Sequence, residues 1–203
     1  MSAIFLDRDG VINANRDTYV TSWSDFQFLP GALDALRILT HHKFRIFVVT
    51  NQSIVNQGRI TQDQLETIHS RMLRAVNIHG GVIHDIRYCP HRQDEQCGCR
   101  KPQPGMLFSL AQDWGINLSQ TYLVGDAITD IQAGQTAGCQ TLMVLTGRGT
   151  EQVRKLLPMG IRSTYVLRNL LSAAQWILAA EGLSVLDPAL QFTCTATEQH
   201  SFF

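Results

Sequence analysis

Four groups of polar residues in this 203-residue chain each sit where a short apolar run ends or a helix begins. Asp7-Arg8-Asp9-Gly10 follows Ile4-Phe5-Leu6, and Thr50-Asn51-Gln52-Ser53 follows Phe44 to Val49. Arg100-Lys101-Pro102 precedes a helix start at Pro104, and Gly125-Asp126, with Asp130 four residues on, follows Tyr122-Leu123-Val124. Asp7 and Asp9 lie two apart, so at an extended strand end both are expected to face one pocket while Gly10 turns the chain away. Carboxylates that close resist double ionisation. A divalent cation relieves the repulsion for one and leaves the other able to carry a proton as a general acid. Asp126 adds a third oxygen ligand, and an all-oxygen site with open positions favours Mg²⁺ over zinc. Lys101 and the Thr50 hydroxyl are then placed to hold the oxygens of a phosphoryl group.

A second cluster asks for a softer ion. Cys89-Pro90-His91, a short polar connector and Cys97-Gly98-Cys99 supply three thiolates and one imidazole, the ligand count of a closed tetrahedral Zn²⁺ site. Cys97 and Cys99 are too close in sequence for a disulfide between them to restrain much unfolded chain. With every position filled by protein, such an ion is structural: it pins the loop that delivers Arg100 and Lys101. Cys139 is expected to be a packed thiol and Cys194 a tail residue.

These groups require a scaffold that brings strand ends together. Short apolar runs alternate with helical patterns to about residue 180, the signature of a parallel sheet with crossover helices, whose ligand crevice lies at the carboxyl ends of the strands. Strands are predicted at 4–6, 44–49, 83–88, 122–124 and 141–145. Helices are predicted from Ala32 through Leu39, from the Thr61/Gln64 capping box through Val76, from Pro104 to the Gly115 cap with Met106, Leu107, Leu110 and Trp114 as the buried stripe, over Ile131–Gly138, and over Leu170–Ala180. The remaining histidines, His69 among them, are expected to be surface or packing residues, and Trp23 and Phe26 to pack the loop after Asp9 or touch substrate.

Composition narrows the function classes. Seventeen Lys and Arg balance seventeen Asp and Glu, so neither nucleic acid nor an anionic membrane is an expected partner. No apolar run reaches spanning length and the amino terminus lacks a leader pattern, and with clustered thiols this reads as a cytoplasmic protein in a reducing compartment. One domain over residues 1–182, with the zinc loop at 89–99 and an irregular tail at 183–203, is the economical reading, acting as a monomer on a small phosphorylated metabolite.

The ordered set Phe5-Leu6-Asp7-Arg8-Asp9-Gly10, Val49-Thr50-Asn51-Gln52, Arg100-Lys101-Pro102 and Val124-Gly125-Asp126 resembles the four motifs of the haloacid dehalogenase (HAD) superfamily of phosphatases over residues 3 to 147. The D-R-D-G-x-I-N opening, the T-N-Q-S segment, the C-x-H…C-x-C-R-K-P insertion and the following G-M-L are similar to the branch holding the D-glycero-D-manno-heptose 1,7-bisphosphate 7-phosphatases and the histidinol-phosphate phosphatases. The resemblance implies a Rossmann-like α/β fold without a separate cap domain. It implies that Asp7 is the nucleophile and forms an aspartyl-phosphate, that Asp9 protonates the leaving alcohol and then activates water, and that Mg²⁺ is held by the Asp7 side chain, the Asp9 backbone carbonyl and Asp126. Thr50 and Lys101 would neutralise phosphoryl oxygens, and Asp130 would orient Lys101 or a metal-bound water. The residues alone leave Asp7 and Asp9 equivalent as nucleophiles; the resemblance makes the choice. Asn51, Gln52 and Arg100 are expected at the substrate. Relatives commonly read T-N-Q-S-G-I-A-R-G where this chain has Ile54 and Gln57, and often Lys where it has Ala127, departures that leave the catalytic set intact. A sugar phosphate, first the 7-phosphate of heptose bisphosphate, is the expected substrate, with histidinol phosphate the alternative. A zinc-stabilised binding protein without turnover is the reading from another class.

Overall fold

The computed structural model describes residues 2–184 except 157, 162 and 164. Six parallel strands, β1 (Ala3–Leu6), β2 (Arg45–Asn51), β3 (Asp85–Cys89), β4 (Thr121–Gly125), β5 (Gln140–Val144) and β6 (Tyr165–Leu167), form one sheet in the order β3-β2-β1-β4-β5-β6. Phe5 lies opposite Phe47 on one side and Leu123 on the other, so β1 is central and buried on both faces. The order reverses between β1 and β4, and an open α/β sheet has its crevice at that point. Asp7 and Asp126 follow directly on these two strands.

Alternate strand residues face opposite layers. Ile4, Leu6, Ile46, Val48, Tyr122 and Val124 pack against helices α1 (Ala32–His41), α2 (Gln62–Ile78) and α6 (Leu170–Ala180). Ala3, Phe5, Phe47, Val49 and Leu123 pack on the other side, against α3 (Gly105–Trp114) and α4 (Ile128–Ala137). The Thr61 capping box forms, with the Gln64 amide donating to Thr61 Oγ1 and the Thr61 amide to Gln64 Oε1. Gly115 takes the left-handed cap conformation expected of it, at φ 59°.

Two elements were not expected from the sequence, α5 (Gly149–Leu156) and β6. Trp114 is not part of the buried stripe of α3. It is 38% exposed, its ring edge meets Phe47 and its indole N–H donates to Asp85. Trp23 stacks on Phe26 at 5.0 Å and Phe26 is buried, so this pair packs the loop after β1. Residues 7–31 and 90–104 carry a single helical turn each, so neither connection builds a cap. The tail expected over 183–203 lies outside the described residues beyond Ser184. Among the described residues no helix is long and apolar enough to cross a membrane.

Candidate active site

The strand ends of β1, β2 and β4 open into a cleft of about 990 Å³, whose lining includes Asp7, Asp9, Thr50, Arg100 and Lys101. Lys101 enters from the connection between β3 and α3 and is almost fully buried. Its ammonium lies 3.1 Å from Asp7 Oδ1 and 2.6 Å from Asp130 Oδ1, and donates to the Val49 carbonyl at 2.7 Å. Burial opposes its charge, but Asp130 and Asp7 outweigh burial and hold it above the ordinary lysine value. Asp130, on the first turn of α4, also accepts the Ala127 amide at 3.0 Å, which fixes the carboxylate that aims Lys101.

Asp7, Asp126 and Asp130 are all buried and bring carboxylate oxygens within 4.8 Å of one another. Burial and the neighbouring acids push Asp126 up to about 7; burial pushes Asp7 up to about 6, with Lys101 opposing and Asp130 adding. Asp126 Oδ2 accepts the Arg148 amide at 2.7 Å and the Asn15 side chain at 3.1 Å, whereas its buried Oδ1 has no hydrogen-bond partner. Gly10 and Gly147, both at positive φ, wrap this carboxylate so closely that a Cβ on either would lie 2.2 Å from Oδ2. An orphaned buried oxygen in a group of mutually repelling carboxylates is what a hard divalent cation satisfies, so the donor set fits Mg²⁺.

Asp9 lines the same cleft as Asp7, as expected, but is electrostatically apart from it. Its carboxylate does not share the acidic cluster with Asp7 but accepts Arg8 Nη2 at 2.9 and 3.0 Å, Asn13 Nδ2 at 2.8 Å and Gln52 Nε2 at 2.8 Å. Burial opposes its ionisation, yet the Arg8 guanidinium and these donors hold it below the ordinary carboxylate range. The repulsion inferred from the D-x-D spacing therefore falls mainly on the Asp7, Asp126 and Asp130 group.

Asn51 and Gln52 line the cleft and are at the same time engaged by protein. Asn51 donates to the Lys101 carbonyl and accepts the Lys101 amide, each at 3.1 Å. Gln52 accepts from Arg8 and donates to Asp9 and to Thr50 Oγ1, the last at 2.9 Å. Arg100 lines the cleft and donates to the His91 carbonyl at 3.1 Å. Gln57 donates to Ser53 Oγ.

Cys89, His91, Cys97 and Cys99 converge as the spacing demanded. Cys89 Sγ lies 3.1 Å from Cys99 Sγ, 3.5 Å from Cys97 Sγ and 3.4 Å from His91 Nδ1, which is 3.2 Å from Cys99 Sγ. Metal–ligand bonds of about 2.0–2.3 Å put tetrahedral ligands about 3.5–3.8 Å apart, so the four donors are grouped closely enough to hold one zinc after moving apart by up to about 0.7 Å. All three cysteines are free thiols.

One buried contact beside Asp9 was not anticipated from the sequence. Arg8 is fully buried, and His69, on α2, meets its guanidinium at 3.1 Å. A contact across 61 residues leaves no local pattern; the one available hint was a histidine on the apolar stripe one place after Ile68.

A HAD-hydrolase-like family model matches residues 98–173. The chain is 37% identical over 177 residues to the D-glycero-β-D-manno-heptose-1,7-bisphosphate 7-phosphatase of Pseudomonas aeruginosa, covering 87% of this chain and 98% of that one. It is 39% identical over 180 residues to the enzyme of the same name from Bordetella bronchiseptica, covering 88% and 98%. A crystal structure of the D,D-heptose 1,7-bisphosphate phosphatase from B. bronchiseptica, complexed with magnesium and phosphate, superposes with a TM-score of 0.85 at 37% identity over 89% of this chain and 99% of that one. Identity at this level over nearly the full length of both relatives shows that the chain belongs to the D-glycero-β-D-manno-heptose-1,7-bisphosphate 7-phosphatase family of HAD-like hydrolases.

Proposed function

We propose that this phosphatase removes the 7-phosphate of D-glycero-D-manno-heptose 1,7-bisphosphate through an aspartyl-phosphate on Asp7. The observation that carries the reading is the Asp7 carboxylate at the head of the crevice. Its Oδ1 accepts the Arg8 amide at 2.7 Å and lies 3.1 Å from Lys101 Nζ, which leaves Oδ2 for attack. Oδ2 bonds to phosphorus as the bond from phosphorus to the sugar oxygen breaks, and Asp9 gives that oxygen its proton. In the second half, Asp9 takes a proton from water, the water oxygen attacks phosphorus, and the bond to Asp7 breaks to release phosphate. The ionised Asp9 held by Arg8 is the form the second half needs. A dianionic phosphate ester in the cleft raises the proton affinity of Asp9 for the first. Lys101 and the Thr50 hydroxyl face the charge that builds on the transferring group, and a charged donor there stabilises the transition state more than the ground state.

Asp7, Asp126 and the Asp9 backbone carbonyl would hold Mg²⁺, which supplies positive charge against the phosphoryl oxygens when bound. Cys89, His91, Cys97 and Cys99 would hold a structural Zn²⁺ that keeps Arg100 and Lys101 at the cleft, and three unpaired thiols suit a reducing cytoplasm. Arg100 and the arginines at the cleft mouth, Arg16, Arg92 and Arg148, give the second phosphate of a bisphosphate a cationic rim.

The test is phosphate release from heptose 1,7-bisphosphate, histidinol phosphate and simple hexose phosphates, with and without Mg²⁺, by wild type and Asp7→Asn. We expect Mg²⁺-dependent release, fastest from the bisphosphate, and none above background from Asp7→Asn. Wild-type rates in Asp7→Asn would overturn the nucleophile, and preference for histidinol phosphate would overturn the substrate.

A further inference from the structure

Arg8 is enclosed by groups that never leave the protein, and one of them has no role in the chemistry proposed above. Its Nη2 reaches both oxygens of Asp9 and, at 3.2 Å, Gln52 Oε1, while its Nη1 lies 3.1 Å from His69 Nε2. A guanidinium has donors only and remains charged, so the lone pair must be on His69: the imidazole is neutral, with its proton on Nδ1. His69 comes from the middle of α2, is buried, and sets its ring at 61° against Tyr88 with centroids 5.8 Å apart. Burial and the Arg8 charge push its pKa down to about 3, so this acceptor persists at neutral pH.

The consequence is directional. With Nη1 tethered to α2, the guanidinium plane cannot swing, and Nη2 is aimed at Asp9. Gln52, itself gripped by Nη2, turns its amide nitrogen to Asp9 Oδ2 and to Thr50 Oγ1. A single chain of contacts therefore runs from a helix packed behind the sheet to the proton-carrying carboxylate and the phosphate-facing hydroxyl.

We infer that His69 is a positioning residue for the acid–base step, holding the Arg8 guanidinium so that it orients Asp9 toward the leaving oxygen. This rests on the proposed role of Asp9. His69 touches no reacting atom and acts through Arg8 alone.

The leaving group separates this role from mere packing. A sugar alkoxide needs a proton to depart, whereas the p-nitrophenolate of p-nitrophenyl phosphate leaves without one, so a misplaced acid slows transfer to Asp7 from the first ester and spares it from the second; hydrolysis of the aspartyl-phosphate uses Asp9 for both, so the comparison is of leaving-group release in a single turnover. His69→Phe keeps the ring volume and the face toward Tyr88 but has no acceptor. Its single-turnover rate of leaving-group release from heptose 1,7-bisphosphate should fall about tenfold or more, and from p-nitrophenyl phosphate less than about twofold. His69→Asn, whose amide is too short to reach the guanidinium, should show the same selective loss and carries the test if His69→Phe does not fold. In the same single-turnover measurement Asp9→Asn should show the selective loss more strongly, though its steady-state turnover falls on both esters, and Asp9→Asn with His69→Phe should release the sugar no more slowly than Asp9→Asn, because the histidine acts through the aspartate. Equal losses on the two esters, no loss on either, or losses that multiply in the double variant would overturn the inference. Failure of the underlying reading is distinct: it appears in the wild-type background as an Asp9→Asn enzyme with full sugar-ester turnover.

Discussion

Asp126→Asn should make the magnesium-free protein more stable while destroying its activity. Asp126 is completely buried, and burial with the nearby Asp7 and Asp130 raises its carboxyl from 3.8 to about 7. A folded-state pKa raised above the unfolded value means that the contribution to stability is full below 3.8 and is lost progressively as the pH climbs to about 7. The gap corresponds to about 4 kcal/mol at about 1.4 kcal/mol per pH unit. Asparagine carries no charge. Its one carbonyl oxygen can keep both the Arg148 amide and the Asn15 side chain, and its NH₂ takes the place of the orphaned Oδ1, where no donor is displaced. At pH 8.5, without magnesium and with zinc retained, the variant should be more stable than wild type by about 3–4 kcal/mol, or ~10 °C in Tm for a chain of this size. At pH 5 the advantage should shrink to about 1–2 kcal/mol, because the wild-type carboxyl is then protonated and only the unfolded chain still gains from ionising. Adding Mg²⁺ should close or reverse the order at pH 8.5, since wild type gains ligand-binding energy and the variant has lost a ligand. Calorimetric scans of both proteins at two pH values, with and without Mg²⁺, provide the measurement. A variant less stable than wild type at pH 8.5 without magnesium, or a gap that does not narrow on acidification, would refute this account of the acidic cluster.

Lys101→Met leaves Asp7 and Asp130 buried without their cation and the Val49 carbonyl without its donor. Denaturant titration should show a loss of about 3–5 kcal/mol, and kcat should drop by at least about 10²-fold. Elemental analysis of protein purified without added metal should find close to one zinc per chain. Cys99→Ser should lower that to less than about half an equivalent, with turnover falling alongside zinc occupancy.

The sheet was readable because parallel strands buried on both faces are continuous apolar runs, as in Phe44 to Val49. β6 was not, since its three residues at the sheet edge include an exposed Tyr165 and Val166 and carry no such signature. α5 was missed because Gly-Thr-Glu-Gln-Val-Arg-Lys-Leu offers only Val153 and Leu156 as apolar side chains. In the site, Asp7, Thr50, Lys101 and Asp126 were found because each lies at or next to a strand end or a proline-marked helix start. The zinc donors were found because their spacing is local. Sequence spacing put Asp7 and Asp9 in one cleft but not the partners of each: Asp9 is held by Arg8, Asn13 and Gln52, while Asp7 groups with Asp126 and Asp130. Asn51 and Gln52 were recognised as belonging to the site, while their partners, reached across 50 and 44 residues, could not be read from a linear pattern.

Asn51 grips both backbone groups of Lys101, its N–H and its carbonyl. Two bonds to one residue fix rotation as well as position, so the rigidity of the sheet extends into a segment that is not a strand. The eleven residues from Pro90 to Arg100 are thereby bracketed between β3 and a fixed exit at Lys101, and several of them, Arg92, Gln93 and Gln96, form part of the cleft wall. Recognition and hydrolysis are mechanically separable in such a layout: the wall can be rewritten for another sugar while the ammonium that serves the phosphorus stays where it is.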